Sequence, residues 1–309
     1  MILAKPEENL GACTWIDLVS PTDEEAKKVE AATGLRIPTK DEIAEIESSS
    51  RLSFENGAFY VSMPLIALGE NGEHVLAAIG FVLSSKVLIS IRFAKHASFD
   101  AAHASCTAHS IKTAEAAFLR VLEIIVDKSA DILEHAGTEC DTLSHNAFRS
   151  QATPKHKGEQ PLLNALRRVG AVADKTSHIR DTLLGIGRIA AFMTETDFED
   201  APKVSVGRMK AIRADVASLT DYESHLSGKI QFLLDATLGF INVEQNEIVK
   251  TLTIASVVGI PPVLIAGIYG MNFQHMPELT WYYGYPLAMI AIVVSGVIPL
   301  LWFKKRGWM

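Results

Sequence analysis

Asn272, with Gln274, His275 and Glu278 close behind it, stands in a short polar segment, Gly270 to Trp281, between two long apolar runs. Glu278 is the one carboxylate there. A cage for a dehydrated metal would need several. Neutral amide and backbone carbonyl oxygens suit a different task. Mg²⁺ gives up its waters reluctantly and usually keeps several of them. A ring of Asn272 side chains, repeated about a symmetry axis, can therefore hold a hydrated ion through its water, with Glu278 adding negative potential at the mouth. The plainer alternative is a connector whose Gly270, Asn272 and Pro277 only make turns.

Other residues with metal-binding chemistry are more scattered. Glu195, Asp197, Glu199 and Asp200 form an acidic turn dense enough to hold Mg²⁺ loosely, or else a solvated turn between helices. Asp215 and Asp221 are further acids in the same region. His96, His103 and His109 fall within 14 residues, but no pair has i,i+4 spacing. Exposed helix histidines are the simpler reading, and a zinc site is the alternative. Cys13, Cys106 and Cys140 are widely spaced and form no CxxC pair, as expected of free thiols in a reducing compartment.

Several classes are disfavoured. A formal net charge of −7 does not fit a basic nucleic-acid footprint. No GxxxxGK[ST] loop is present, so no nucleotide partner and no ATP-driven pumping are expected. Neither GxSxG nor HExxH occurs, so enzyme chemistry has no support and no prosthetic group is called for.

The elements that must position Asn272 are two membrane spans. From Thr251 to Phe303 there are 53 residues and one formal charge. The rest of the chain up to Lys250 is ordinary: removing Lys304, Lys305 and Arg306 leaves 26 basic residues against 35 acids, a net of −9. Thr251 to Tyr269 makes a helix of about 28 Å, enough to cross a hydrocarbon core. The second run, Tyr282 to Phe303, is similar. Lys250 precedes the first span, Lys304, Lys305 and Arg306 follow the second, and the connecting loop has no Lys or Arg. The positive-inside rule then puts both termini in the cytoplasm and the loop outside. The start, MILAKPEENLG, lacks an apolar h-region, so no cleavable signal peptide is expected. Pro261 and Pro262 lie in mid-span, where the carbonyls they free need protein or water around them.

Upstream, residues 14 to 93 read as a mixed α/β unit: a strand over TWIDLV, a helix capped by Ser20-Pro21 and ended by Gly34, and a capping box at Thr39 and Glu42 opening a helix to about Ser48. A hairpin is expected at Asn56-Gly57, and two further strands turn near Ser84-Ser85. Helical periodicity follows over Thr113 to Asn146 and again from Gly158 to Phe192. From about Lys203 to Tyr269 a single helix of about 100 Å is expected to run into the membrane. On it, Asn246, Val249, Leu252, Ser256, Ile260 and Val263 follow one another at helical spacing, polar at one end and apolar in the middle. Such a stripe can line a pore whose apolar ring gates by dewetting, or simply pack on another helix. Two spans per chain cannot enclose a pore, so a pathway requires a ring of copies.

Tyr269-Gly270-Met271-Asn272-Phe273, followed by Met276-Pro277-Glu278-Leu279 at the end of the first span, resembles the signature of the CorA family of magnesium and cobalt transport proteins. FINVEQNEIVK before the span, GYPLAMI and the basic tail after it, and WIDLVSPTDEE near the start also resemble that family. The resemblance covers nearly the whole chain, most specifically residues 240 to 309. It implies a funnel-shaped homopentamer in the bacterial inner membrane, conducting Mg²⁺ and Co²⁺, with Ni²⁺ as a further candidate. Each chain would give an α+β cytoplasmic domain, a mixed α/β sandwich, over residues 1–110. A helical hairpin over 111–202, a stalk helix over 203–250 and a membrane domain over 251–309 would follow. Gly270, Met271 and Asn272 would form the filter, Asn246, Val249, Leu252 and Ile260 would line the pore, and Asp235, Lys304, Lys305 and Arg306 would surround the cytoplasmic mouth. Cytoplasmic Mg²⁺ between subunits would close it, through Glu195, Asp197, Glu199, Asp200, Asp215 or Asp221. Val263 departs from the threonine many members carry there. Met271 resembles the magnesium branch rather than the zinc branch, which typically has Val. The alternatives are a zinc-preferring transporter of the same architecture and a membrane-anchored metal-sensing scaffold without conduction.

Overall fold

The computed structural model describes residues 2–5, 13–45, 47, 51–69, 73–108, 111–150, 159–195, 200–273 and 276–308. They fall into two compact units: residues 1–156 with 164–234, and residues 157–163 with 235–309.

The first unit is built on a six-stranded mixed sheet. Its strands are β1 (Ile2–Lys5), β2 (Trp15–Val19), β3 (Leu52–Glu55), β4 (Ala58–Leu68), β5 (His74–Ser84) and β6 (Leu88–Arg92), in the spatial order β1-β2-β6-β5-β4-β3. β2 and β6 are parallel, and every other neighbouring pair is antiparallel. Two-residue alternation sorts the side chains. Phe59, Val61, Met63 and Leu65 point to one core with Ile79, Phe81 and Leu83, whereas Ala58, Tyr60 and Val82 join Ile16, Leu18, Ile89 and Ile91 in a second. The second core is covered by α1 (Asp23–Thr33) and α2 (Lys40–Ala44), which contribute Val29 and Ile43. The first is covered by α3 (Ala97–Ala108), α4 (Ala114–Ser150), α5 (Glu159–Glu195) and the first part of α6 (Val206–Tyr269). This is the expected α/β sandwich, with the sheet between two helical layers.

Local chemistry explains the turns. Asn56 and Gly57 both have positive φ, 51° and 72°, and close the β3–β4 hairpin as expected. Two expectations need correction. Ser20 is not the cap of α1; its φ is +45° and its N–H donates to the Arg92 carbonyl at 2.8 Å. Thr22 caps instead, in a reciprocal pair with Glu25. The capping box at Thr39 and Glu42 forms, but α2 ends at Ala44 rather than near Ser48. The edge strand β1, paired with β2, was not anticipated.

Asp17 is the polar hub of this unit. It is fully buried, and Arg92 donates to its Oδ2 from Nη2 at 2.8 Å and from Nε at 3.1 Å. Ser90 Oγ donates to Oδ1 at 2.6 Å, and His103 Nε2 on α3 lies 3.2 Å from Oδ2. The His103 ring stacks on Trp15 at 4.0 Å, and Trp15 Nε1 donates to Ser90 Oγ at 3.0 Å. One carboxylate thus joins the parallel strand pair to the helix that covers it. Burial pushes its pKa up, but hydrogen bonds from His103, Arg92 and Ser90 outweigh burial and hold it below the usual carboxylate value.

The long helices are tied by further ion pairs. Arg208 on α6 holds Glu123 on α4 at 2.7 Å, and Arg180 on α5 holds the buried Glu223 on α6 at 2.6 Å. α6 runs unbroken through Gly207, Gly228, Gly239 and the Pro261-Pro262 pair, as expected.

Candidate functional site: the loop between two apolar helices

The second unit contains the lower-numbered end of the apolar stretch of α6, its continuation to Tyr269, and α7 (Gly284–Lys305). Both helices are long and apolar enough to cross a membrane, and almost none of either apolar stretch is buried. In water such surface would have no counterpart, so lipid or other protein must cover it.

The helix pair has a defined seam. A Cβ added to Gly296 of α7 would meet Pro262 Cγ at 3.4 Å and the Val258 carbonyl at 3.7 Å. Pro262 cannot donate to that carbonyl, so the helices approach at the point where α6 has lost a rung. Between Ile254 and Ile265 the partly covered residues of α6 are Ile254, Val258, Pro261, Pro262 and Ile265, and by helical count they lie on this side. A single extra Cβ makes ordinary contact there, and a branched side chain adds two methyl groups beyond it. Gly296→Val is expected to lower the stability of the membrane unit by about 1–3 kcal/mol through overpacking, with Gly296→Ala near neutral; thermal unfolding in detergent checks both.

Asn246, Val249, Leu252, Ser256, Ile260 and Val263 are all exposed, Val263 at 71%. Exposure alone does not single them out in a bare helix pair; direction does. At about 100° per residue they centre roughly 180° from the seam. The stripe therefore faces away from α7. Asp235 is exposed and falls on the same face by the same count.

At the top of the stripe the helix stops within two residues. Gly270 N–H still donates to Ala266 O at 2.9 Å and Met271 N–H reaches Ile268 O at 3.3 Å. Met271, Asn272 and Phe273 then leave the helix and are exposed. A Cβ at Gly270 would sit 3.2 Å from Ala266 O, tighter than most such contacts. The return begins with a 3₁₀ turn, Pro277–Thr280, which carries the Glu278 backbone, and Trp281, Tyr282 and Tyr283 pack edge-on before α7. Gln274 and His275 lie outside the described residues. The arrangement offers an uncharged carboxamide and several carbonyls at the end of an apolar stripe. That chemistry suits an ion that keeps its water shell.

The other candidates fare differently. Glu195 pairs with Arg213 at 3.2 Å; Asp200, Asp215 and Asp221 are exposed; Asp197 and Glu199 lie outside the described residues. Among the described residues of one chain, no three His, Cys, Asp or Glu side chains converge on a metal position. His96 is not an exposed helix histidine. It is 2% exposed, lies just before α3, and its Nδ1 is 3.0 Å from the Ile66 carbonyl; burial pushes its pKa down. His103 is taken up with Asp17, and His109 lies outside the described residues. None of the three cysteines is in a disulfide, and Cys13 and Cys140 are buried. Lys304, Lys305 and Arg306 end α7 and are exposed.

The profile of the CorA-like Mg²⁺ transporter protein family matches residues 11–305. The chain belongs to this family. The magnesium transport protein CorA of Escherichia coli (strain K12) is 29% identical over 297 residues, covering 96% of this chain and 92% of that protein. The CorA magnesium transporter of Methanocaldococcus jannaschii has the same fold, with a TM-score of 0.69 at 18% identity, over 96% of this chain and 91% of that one. Full-length CmaX matches with a TM-score of 0.68 at 14% identity, over 96% and 89%. The CorA-family architecture of an α/β domain, a long helix and a terminal apolar helix is thus the architecture of this chain.

Proposed function

We propose that this CorA-family chain is a Mg²⁺ channel of the bacterial inner membrane, passing Co²⁺ as well, and assembled as a homopentamer with both termini in the cytoplasm. The observation that carries the reading is the direction of the stripe. Asn246, Val249, Leu252, Ser256, Ile260 and Val263 face away from α7 and end at Gly270-Met271-Asn272. A ring of α6 helices with α7 outside places that stripe on the axis.

The domain at 1–110, the hairpin at 111–202 and the stalk at 203–250 are the cytoplasmic part, and 251–309 is the membrane part. Gly270, Met271 and Asn272 receive the hydrated ion through its waters, with Glu278 attracting cations to the loop. The apolar middle of the stripe closes by dewetting. Asp235, Lys304, Lys305 and Arg306 set the potential at the inner mouth. Cytoplasmic Mg²⁺ held between subunits by acids among Glu195, Asp197, Glu199, Asp200, Asp215 and Asp221 keeps neighbouring acidic faces together; its loss lets them part and the stripe wet. Inward movement of a divalent ion gains about 4.6 kcal/mol per 100 mV, twice the value for one charge, so no nucleotide is needed.

The test is Mg²⁺ uptake into liposomes carrying the full-length protein, under an inward-negative potential and with low internal Mg²⁺. Uptake is expected. Ion binding without flux would replace the channel by a scaffold, and flux of Zn²⁺ in preference to Mg²⁺ would move the chain to a zinc transporter. In the same assay Val263→Thr is expected to raise Mg²⁺ flux about fivefold, the equivalent of one added hydrogen bond of about 1 kcal/mol to the ion's water.

A further inference from the structure

The C-terminal end of α7 is capped. Gly307 takes φ +72° and closes the helix. Its N–H donates to Lys304 O at 3.2 Å, and Trp308 N–H donates back to Phe303 O at 3.1 Å. Those two bonds are the Schellman pattern, and its usual apolar contact is present: the Trp308 ring stacks on Phe303 at 5.4 Å. Phe303 is 3% exposed, although the rest of α7 is largely uncovered. Arg306 lies 5.1 Å over the Trp302 ring. That contact steadies the guanidinium without consuming an N–H donor. Lys304, Lys305 and Arg306 are therefore three consecutive exposed cations in a capped turn, and among the described residues no carboxylate pairs with any of them.

From this geometry we infer that the capped turn is a binding site for the phosphate of an anionic phospholipid. The depth selects lipid over a soluble anion. The cations follow directly on an apolar helix, and exposed Trp302 and Trp308 flank them, the residue type that settles at the headgroup level. Juxtamembrane cations draw anionic lipid. Here the cap holds them together, and among the described residues their five guanidinium and six ammonium N–H donors meet no side-chain acceptor that competes for phosphate oxygens. Binding requires only that α7 ends at a bilayer surface. Its consequence rests on the channel reading: lipid phosphate at each copy's turn lowers the positive potential that an ion meets at the inner mouth.

The experiment incubates full-length protein with mixed micelles of phosphatidylglycerol and phosphatidylcholine in equal amounts, re-isolates it, and measures bound lipid by mass spectrometry. Phosphatidylglycerol is expected to be enriched on the protein. The combined variant Lys304→Gln, Lys305→Gln, Arg306→Gln should lose that enrichment, at about fivefold in affinity per cation. Gly307→Val keeps all three charges but puts a β-branched residue at positive φ, so the cap opens; it too should lose most of the enrichment, with an unchanged melting temperature for the rest of the protein. Equal amounts of the two lipids on the wild type would overturn the proposal. So would enrichment that survives in the glutamine variant, or that survives Gly307→Val, which would reduce the site to diffuse charge. Displacement of phosphatidylglycerol by inorganic phosphate would overturn the assignment to lipid. Because lipid and not flux is read, failure here leaves Mg²⁺ transport standing, and failure of transport leaves the lipid site standing.

Discussion

Asn272→Ala is expected to cut Mg²⁺ uptake into liposomes by at least tenfold while leaving the oligomer intact. The carboxamide is the one side-chain dipole in the exposed Met271-Asn272-Phe273 segment, and it sits where α6 has just ended. A hydrogen bond to a charged group contributes about 1.5–3 kcal/mol, roughly ten- to a hundredfold, and a ring loses one from every copy. Alanine leaves only backbone carbonyls to meet the hydrated ion. Asn272→Asp separates affinity from passage: the added charge should tighten binding and slow release, so that half-saturation falls while maximal flux also falls. Wild-type flux in Asn272→Ala, measured with unchanged size on gel filtration, would remove the loop from the permeation path.

Asp17→Asn is expected to destabilise the α/β unit by about 3–5 kcal/mol, because it strands Arg92 in the interior without its counter-charge. Arg92 is 4% exposed and its Nε and Nη2 both point at this one carboxylate. For a unit of this size the melting temperature should fall on the order of 10 °C. Leu at position 17 together with Met at 92 should recover much of the loss, since replacing a buried pair by apolar groups removes both desolvation terms. The same hub sets an acid limit. Its folded pKa is depressed, so its contribution is complete above the unfolded value of about 4 and fades as pH falls through the lower folded value. Unfolding followed by circular dichroism from pH 6 downward should show the wild type losing stability below about pH 4, with a shallower loss in Asp17→Asn because Glu25 and Glu42, also held low, still titrate. Parallel curves for the two would show that Asp17 is not the group that titrates.

What was legible in the sequence was whatever local chemistry decides. Asn56-Gly57 announced a hairpin because few other residues accept positive φ at both turn positions. The spans were legible because a hydrocarbon core tolerates no charge over the length of a helix. Where two local signals overlapped, the reading slipped: Ser20-Pro21 and Thr22 with Glu25 both announce a helix start, and only the reciprocal hydrogen bonds of the second were made. The Asp17 hub was hidden for another reason. Its partners Ser90 and Arg92 are more than seventy residues away, joined only when β2 and β6 pair. The burial of His96 is not legible locally, because it depends on β4, whose Ile66 carbonyl lies thirty residues away in the chain. At the candidate site, residue types singled out Asn272, and spacing traced the stripe. Which way the stripe faced was not legible, because the span is uniformly apolar around its circumference. The Gly296 seam decided it.

Pro261 and Pro262 leave the carbonyls of Val257 and Val258 without their rungs, yet α6 continues through them as helix. A rod with two missing struts at one level is compliant there and stiff everywhere else. Tilting the turns on either side of that level would strain two hydrogen bonds fewer than tilting them elsewhere, because the rungs to Val257 and Val258 are missing. Bending elsewhere in the span would have to stretch a bond each time. Bending of α6 would then concentrate in one turn beside Gly296, next to Ile260 and Val263.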